Sequence, residues 1–229
     1  MRILKLIPAI IAVSLPVVPL YVEADPDSKY ILVAAHRGGY KNEKKDDAPE
    51  NSVVNLEVAV RKGFDLYETD IRCTKDGVFV VVHDDTLNRE TNGKGPVEDL
   101  KFSEVQQLNK RFRDGSLSGY GVATLEQLLL AGKGRISFKA DLKPGVIERF
   151  SELAGLIDRI GMTEDVFLRT GIKDAPKIAE CFRKGAPKVE VMFRAGTVEQ
   201  VKKIVEEFSP KTIQINGEKN EELSERKRQ

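Results

Sequence analysis

The stretch that decides the fold runs from residue 64 to residue 88 and reads FDLYETDIRCTKDGVFVVVHDDTLN. Two runs with β-strand character flank Asp76-Gly77, a dipeptide that supplies the positive φ angles of a two-residue hairpin turn. With that turn, the register of the two arms places Asp70 directly opposite His83. The sequence therefore predicts a β-hairpin that brings an acidic strand against a histidine.

This register would collect acidic side chains around one imidazole. Directly opposed residues have Cβ atoms roughly 5 Å apart on one face of a sheet, and alternation along the strand adds Glu68 to the face of Asp70. Carboxylates two positions apart repel each other unless a cation lies between them, so the pattern favours a cation site over a solvated polar face. A slip of one residue would turn His83 to the opposite face.

The composition is that of an ordinary globular domain. The chain has 229 residues, of which 41% are hydrophobic and 32% charged, enough for one domain with a sizeable core. A formal net charge of +1, without a basic patch among aromatic residues, predicts no nucleic-acid partner. The sequence holds two cysteines, Cys73 and Cys181, and does not show whether they pair.

Residues 1–24 have the pattern of a signal peptide. A short basic start precedes an apolar run at residues 6–22 that three prolines interrupt, and residues 22–24 place small side chains at the usual cleavage positions. A permanent membrane helix is the alternative, which the prolines and the missing basic stop disfavour. We expect an exported protein, periplasmic or extracellular, that begins near Asp25 and keeps no stable membrane span.

The rest of the chain predicts one α/β domain over residues 25–217 and a charged tail over residues 218–229. Apolar strand runs alternate with helical runs that end at glycines, which is typical of right-handed βαβ units in a parallel sheet. Besides the return arm of the hairpin we count six strands: the first hairpin arm and residues 30–35, 135–143, 166–169, 189–193 and 212–215. Helices are expected near residues 52–63, 102–110, 124–132, 146–160, 175–184 and 198–208, and residues 84–121 are otherwise expected to be irregular.

The chain holds two histidines, His36 and His83, and both follow apolar strands beside charged residues. An imidazole titrates near neutral pH, so a pair can act as base and acid on opposite sides of a reacting group. The carboxyl ends of strands are where active sites form in parallel α/β sheets. We therefore interpret both as functional.

Carboxylates and cations lie at the same strand ends. Glu68 and Asp70 end the second strand and Asp141 ends the third, an all-oxygen set that suits calcium or magnesium better than zinc. Arg37 and Lys143 could hold an anionic oxygen. For Lys143, a plain surface lysine before Pro144-Gly145 is an equally good interpretation.

Several short motifs together resemble the glycerophosphodiester phosphodiesterase family, over roughly residues 31–143. They are His36-Arg37-Gly38, Pro49-Glu50-Asn51-Ser52, Glu68-Thr69-Asp70, Thr74-Lys75-Asp76-Gly77, His83-Asp84, Thr86-Leu87-Asn88-Arg89 and Thr124-Leu125-Glu126. The resemblance implies a TIM-type barrel that hydrolyses glycerophosphodiesters to glycerol 3-phosphate and an alcohol. It also implies roles for eight residues: catalysis by His36 and His83, metal binding by Glu68, Asp70 and Asp141, and phosphate binding by Arg37, Glu50 and Lys143.

The chain departs from the family pattern in two ways. Asp141 stands where the family usually has glutamate, which is one methylene longer. The family barrel has eight strands, whereas this sequence predicts six, and strand number and closure are linked. We therefore expect an incomplete (β/α) barrel whose first and last strands are not hydrogen-bonded to each other, with possible self-association through the open edge.

These observations favour an exported phosphodiesterase that depends on a divalent cation, calcium ahead of magnesium, and acts on a small glycerophosphodiester. Two alternatives stay open. One is a phospholipase D-like enzyme acting on lysolipids or sphingolipids, which a long apolar groove would favour. The other is a non-catalytic glycerophosphate binder, the remnant of a shortened barrel.

Overall fold

The computed structural model describes residues 32–39 and 48–215. Its centre is a seven-stranded sheet. Six strands are neighbours in the order β1-β2-β6-β7-β8-β9, and the seventh, β3, pairs with β2. The remaining two strands, β4 and β5, form a separate antiparallel pair. The strands are β1 (Ala34–Ala35), β2 (Leu66–Cys73), β3 (Phe79–Val81), β4 (Asn109–Arg111), β5 (Leu117–Gly121), β6 (Ser137–Leu142), β7 (Val166–Gly171), β8 (Glu190–Ala195) and β9 (Ile213–Ile215).

Helices follow the strands in the expected alternation, and side-chain caps fix where several begin. They are α1 (Val53–Arg61), α2 (Phe102–Val105), α3 (Leu125–Gly132), α4 (Phe150–Arg159), α5 (Ala175–Arg183) and α6 (Val198–Phe208). The hydroxyl of Ser52 accepts a hydrogen bond from Asn55 N at 3.2 Å and so starts α1. Thr124 and Gln127 form a reciprocal capping box at α3.

The six parallel strands form a curled half-barrel, as the sequence predicts. Each neighbouring pair, from β1–β2 to β8–β9, is parallel. Within the described residues β1 and β9 are the two ends of the sheet and do not pair with each other. The incomplete-barrel prediction is therefore confirmed for the part of the chain that the structure covers.

The two faces of the sheet have opposite character. Alternate side chains of the strands pack against the helices and make the main apolar core, among them Tyr67, Phe138, Leu168 and Phe193. The residues between them face the inside of the half-barrel and are mostly charged. Because Asp70 of β2 is the register partner of Asp141 of β6, this inner face brings two acidic side chains side by side.

The predicted hairpin exists, but the predicted register is wrong by one residue. Ile71 pairs with Val81, and the Val82 N–H donates to the Asp70 carbonyl at 3.1 Å, so Val82 and not His83 lies opposite Asp70. The reason is the turn: Gly77 has a φ of 92°, and the chain closes a three-residue loop instead of a two-residue one. His83 lies two residues beyond the end of β3.

The segment between residues 84 and 121 contains more structure than expected. The helix predicted near residues 102–110 is the single turn α2, and residues Asn109–Arg111 form β4, which pairs with β5. The sequence does not predict this strand, because its central residue, Lys110, is charged and yet completely buried. Similarly, the helix predicted at residues 146–160 begins as a 3-10 turn, Val146–Arg149, before α4.

Some predictions fall outside the described residues. The signal peptide of residues 1–24, the tail of residues 218–229 and the exact limits of the domain remain predictions.

Both cysteines are free thiols, with Cys73 buried. None of the helices within residues 32–39 and 48–215 combines the length and the apolar character that a membrane crossing requires.

Candidate active site

Three carboxylates meet on the inner face of two neighbouring strands, two of them within β2 rather than at its end. Glu68 and Asp70 of β2 and Asp141 of β6 each offer an oxygen, and these oxygens lie within 4.8 Å of one another. Glu68 and Asp70 are buried. A set of converging carboxylate oxygens fits a hard divalent cation, so these residues can hold the cation that the sequence predicted.

The environment of Asp70 keeps its carboxylate charged. Burial by itself would raise the pKa of Asp70, but the hydrogen bond from Asn51 and the charges of Lys143 and His83 outweigh it and lower the pKa overall. Asn51 Nδ2 donates to Asp70 Oδ2 at 3.0 Å, and Lys143 Nζ lies 3.0 Å from Asp70 Oδ1. The backbone of His83 is held beside β2 despite the shifted register, since Arg72 Nη2 donates to the His83 carbonyl at 3.2 Å.

A 3-10 turn at His36–Gly38 lies over Glu68. The Arg37 N–H donates to Glu68 Oε2 at 2.8 Å, and His36 Nε2 lies 3.8 Å from the same oxygen. Only glycine fits at Gly38, since its φ is 85° and a Cβ would come within 1.3 Å of Asn55 Oδ1. The turn therefore fixes His36 beside the carboxylate cluster.

Arg37 joins the cluster to the loop that precedes α1. Its Nε lies 3.9 Å from Asp70 Oδ2, and its Nη1 lies 3.5 Å from Glu50 Oε1. Arg37 itself has a left-handed backbone with a φ of 50°, which a non-glycine residue rarely adopts. Together with Lys143, this guanidinium places two positive charges at Asp70, where an anionic oxygen could bind.

The carboxylate of Asp84, which is not part of the three-carboxylate cluster, orients the ring of His83. The Nδ1 atom of His83 lies 2.7 Å from Asp84 Oδ1, and Arg89 Nε donates to Asp84 Oδ2 at 2.6 Å. The Arg89 guanidinium, followed by the His83 ring, lowers the pKa of Asp84 well below its usual range in spite of the opposing effect of burial. Arg89 Nη2 also donates to Glu50 Oε1 at 2.6 Å, which links the His83 segment to the loop that carries Glu50.

Two cations in the site were not predicted from the sequence. Lys139 of β6 reaches both Glu68 and Asp141, and Arg169 of β7 forms an ion pair with Asp141. Both could have been found from the strand pattern. Lys139 precedes Asp141 by two residues and so shares its face, and Arg169 is the register partner of Asp141 on the next strand.

A buried ion pair beneath the site was also missed. Lys110 and Glu90 have fully buried side chains, with Lys110 Nζ 3.4 Å from Glu90 Oε2. Lys110 also donates to the Asn51 carbonyl at 3.1 Å, while Glu90 Oε1 accepts the N–H groups of His83 and Asp84, each at 2.9 Å. This ion pair therefore anchors two segments of the site, the loop that contains Asn51 and the segment that contains His83 and Asp84.

Lys110→Met is expected to destabilise the fold by about 3–5 kcal/mol, because it leaves Glu90 Oε2 charged and buried without its partner ammonium. Chemical unfolding of the variant by urea measures this loss. The double variant Glu90→Gln, Lys110→Met should recover part of it, since a neutral glutamine still accepts the two N–H groups. A single variant as stable as the wild type would show that the pair does not support the site.

A cavity of about 900 Å³ opens beside the carboxylate cluster and shares Asp141 with it. It lies at the carboxyl ends of β6, β7 and β8. Among its lining residues are the cations Lys143, Arg169, Lys173 and Arg194. The space next to the cluster is thus suited to a polar ligand.

The fold and the site together define a TIM-type barrel protein with an acidic, histidine-flanked centre. The chain belongs to the glycerophosphoryl diester phosphodiesterase family, whose model matches residues 36–217. The matched span begins at His36 and includes every candidate site residue. The resemblance inferred from the short motifs is confirmed.

Individual relatives agree with this assignment. A glycerophosphodiester phosphodiesterase of Caldanaerobacter subterraneus subsp. tengcongensis is 36% identical over 118 residues, which are 51% of this chain and 46% of that protein. A solved glycerophosphoryl diester phosphodiesterase of Parabacteroides distasonis is 28% identical, with a TM-score of 0.68, covering 82% of this chain and 63% of the other. A phosphodiesterase of Oleispira antarctica, solved in complex with the product sn-glycerol-3-phosphate, shares the fold at 18% identity and a TM-score of 0.62, covering 80% and 73%. The chain spans about half the length of the curated relatives it matches.

Proposed function

We propose that this chain is a metal-dependent glycerophosphodiester phosphodiesterase, which releases glycerol 3-phosphate and an alcohol. The observation that carries the proposal is the cluster of Glu68, Asp70 and Asp141, with His36 Nε2 3.8 Å from Glu68 Oε2 and the His83 ring held by Asp84 at 2.7 Å. Carboxylates, cations and two imidazoles can together supply the charge stabilisation and the proton transfers of phosphodiester hydrolysis. Membership of the family supports the same activity.

A divalent cation held by the three carboxylates would supply Lewis-acid stabilisation of the charge that builds on the phosphate. We expect calcium, because three carboxylates suit its flexible coordination better than the few that magnesium takes. Arg37 and Lys143 lie at Asp70 and would bind the phosphate oxygens. The side chains of Arg37 and Lys143 are already held at Asp70 before the substrate binds. They can therefore stabilise the charge of the reaction with little reorganisation.

The two histidines would transfer the protons. Because Arg89 keeps Asp84 ionised, Nδ1 of His83 donates to that carboxylate and Nε2 is left to take up or give a proton. One histidine removes a proton from the attacking hydroxyl, of water or of the substrate glycerol, and the other protonates the oxygen of the leaving alcohol. If the glycerol hydroxyl attacks, the alcohol leaves from a cyclic phosphate, which water then opens to glycerol 3-phosphate. The rest of the alcohol would lie in the cavity beside Asp141.

The lining of that cavity favours a small polar substrate over a lipid. Cationic side chains such as Lys173 and Arg194 line it, whereas an acyl chain needs a long apolar groove. We therefore rank a phospholipase D-like activity on lysolipids or sphingolipids second.

The activity can be tested by ³¹P NMR of glycerophosphocholine incubated with the purified chain and calcium. We expect glycerol 3-phosphate to accumulate, and excess chelator to stop its release. Lysophosphatidylcholine in a parallel reaction tests the second-ranked activity. Binding of glycerol 3-phosphate without turnover of either substrate would contradict the proposal and favour a non-catalytic glycerophosphate binder.

The open edge of the half-barrel should limit stability. At the β1 side, Leu32 and Val33 are 58% and 50% exposed, and an unpaired strand edge invites pairing with another chain. We expect either self-association in light scattering or a melting temperature below about 65 °C, the upper end of the ordinary mesophile range. A monomer with a cooperative transition above that temperature would mean that other residues close the barrel.

We also propose that the protein is exported, on the strength of the signal-like pattern in residues 1–24. Fractionation of cells that express the whole sequence, followed by N-terminal sequencing of the product, tests this. A mature protein that begins near Asp25 outside the cytoplasm is expected. An uncleaved chain in the cytoplasm would contradict it.

A further inference from the structure

Lys139 lies where its ammonium contacts two of the three clustered carboxylates at once. Its Nζ is 3.4 Å from Glu68 Oε1 and 3.3 Å from Asp141 Oδ1. Its side chain is only 19% exposed, so water screens these charges weakly. In the part of the chain that the structure describes, no other lysine or arginine forms ion pairs with two members of the cluster.

The cluster is already neutralised by the protein itself. Lys143 is paired with Asp70, Arg169 is paired with Asp141, and Lys139 joins Glu68 to Asp141. The two oxygens of Asp141 are divided between two cations, with Oδ1 facing Lys139 and Oδ2 facing Arg169. A divalent cation that binds here must therefore compete with charges that belong to the chain.

We propose that Lys139 is a built-in counter-cation that competes with the divalent metal for Glu68 and Asp141. This inference rests on the metal site of the proposed function. Without metal, Lys139 relieves the repulsion between the carboxylates and keeps the site folded. With metal, its ammonium repels the incoming charge or must leave the two oxygens, so it lowers the affinity of the site for the ion.

The other cations do not fit this role. Lys143 and Arg37 lie at Asp70, where they would meet the phosphate, and Arg169 pairs with one member of the cluster only, at Asp141 Oδ2. Lys139 alone of these cations contacts an oxygen of each of two cluster members, Glu68 and Asp141. Its removal is therefore the change that best separates competition from substrate binding.

Lys139→Gln should bind calcium at least about tenfold more tightly than the wild type, measured by isothermal titration calorimetry without substrate. In excess chelator the same variant should melt about 3 °C or more below the wild type, since three carboxylates then repel each other with less compensation. Lys139→Arg should behave as the wild type in both measurements. Lys173→Gln, which removes a nearby cavity lysine that has no ion pair with a described residue, is the matched control and should change neither value.

A calcium affinity of Lys139→Gln within twofold of the wild type, or weaker, would overturn the proposal. So would an equal or higher melting temperature in chelator, or a lack of calcium binding by both proteins up to about 10 mM, roughly tenfold above the dissociation constants of the weakest natural sites. None of these measurements uses catalysis. A chain that fails to hydrolyse glycerophosphocholine would therefore contradict the proposed function and leave this test intact.

Discussion

Asp70→Asn is expected to abolish calcium binding and to lower kcat/KM for glycerophosphocholine by about 10³-fold, the scale of losing a central charge-stabilising group. Asp70 is buried and lies at the middle of the site, with Asn51, Lys143 and Arg37 around it. Asparagine keeps the shape of the side chain but removes the charge that a cation needs. The fold should stay nearly intact, because the core lies on the other face of the sheet.

Calorimetry with calcium and initial-rate kinetics measure the two effects, and circular dichroism checks the fold. Glu57→Gln is the matched control, since it neutralises an exposed carboxylate of α1 that pairs with Arg135 away from the site. The control should bind calcium and turn over substrate as the wild type does. Full activity of Asp70→Asn, or of the wild type in excess chelator, would contradict the metal-dependent mechanism.

His83→Ala is expected to lower kcat by about 10²–10⁴-fold while leaving calcium affinity within a few-fold, because the imidazole transfers a proton and does not belong to the carboxylate cluster. The side chain of His83 is 31% exposed, so added imidazole can enter the vacated space. We expect imidazole to restore part of the rate. His36→Ala, measured in the same way, tests the second proton-transfer group.

Two results would count against these roles. If kcat of His83→Ala stayed within threefold of the wild-type value, His83 would not transfer a proton. If the variant lost calcium binding as well as activity, His83 would act through the metal site instead. A pH profile that loses one limb in each histidine variant would distinguish the base from the acid.

The sequence predicts the parallel sheet because its local signals agree with its packing. Strands such as β6 and β8 place an apolar residue at every second position, where it enters the core. Helices begin at capping residues such as Ser52 and Thr124 that satisfy the first backbone N–H groups. The six-strand count is confirmed for the same reason. In physical terms, burial of one face of every element dictates where it can lie.

The sequence fails where the structure depends on contacts between distant residues. The hairpin register turns on the conformation of Gly77, since a loop of two or three residues is compatible with the same letters. A hydrophobicity pattern does not predict the strand around Lys110. A lysine is buried at such a position only when a partner such as Glu90 is buried with it, and the pattern does not contain that pairing. Arg169 belongs to the site through its register with Asp141 on the neighbouring strand, which a single motif does not reveal, whereas Lys139 follows from its spacing of two residues to Asp141.

The central claim is that one divalent cation is held by Glu68, Asp70 and Asp141 beside the position of the substrate phosphate. Anomalous diffraction from crystals soaked with manganese and glycerol 3-phosphate tests it most directly. We predict one anomalous peak among these three carboxylates, with the phosphate of the product next to it and in contact with Arg37 and Lys143. A peak at the other acidic group, formed by His83, Asp84 and Glu90, or a phosphate bound away from the three carboxylates, would contradict it.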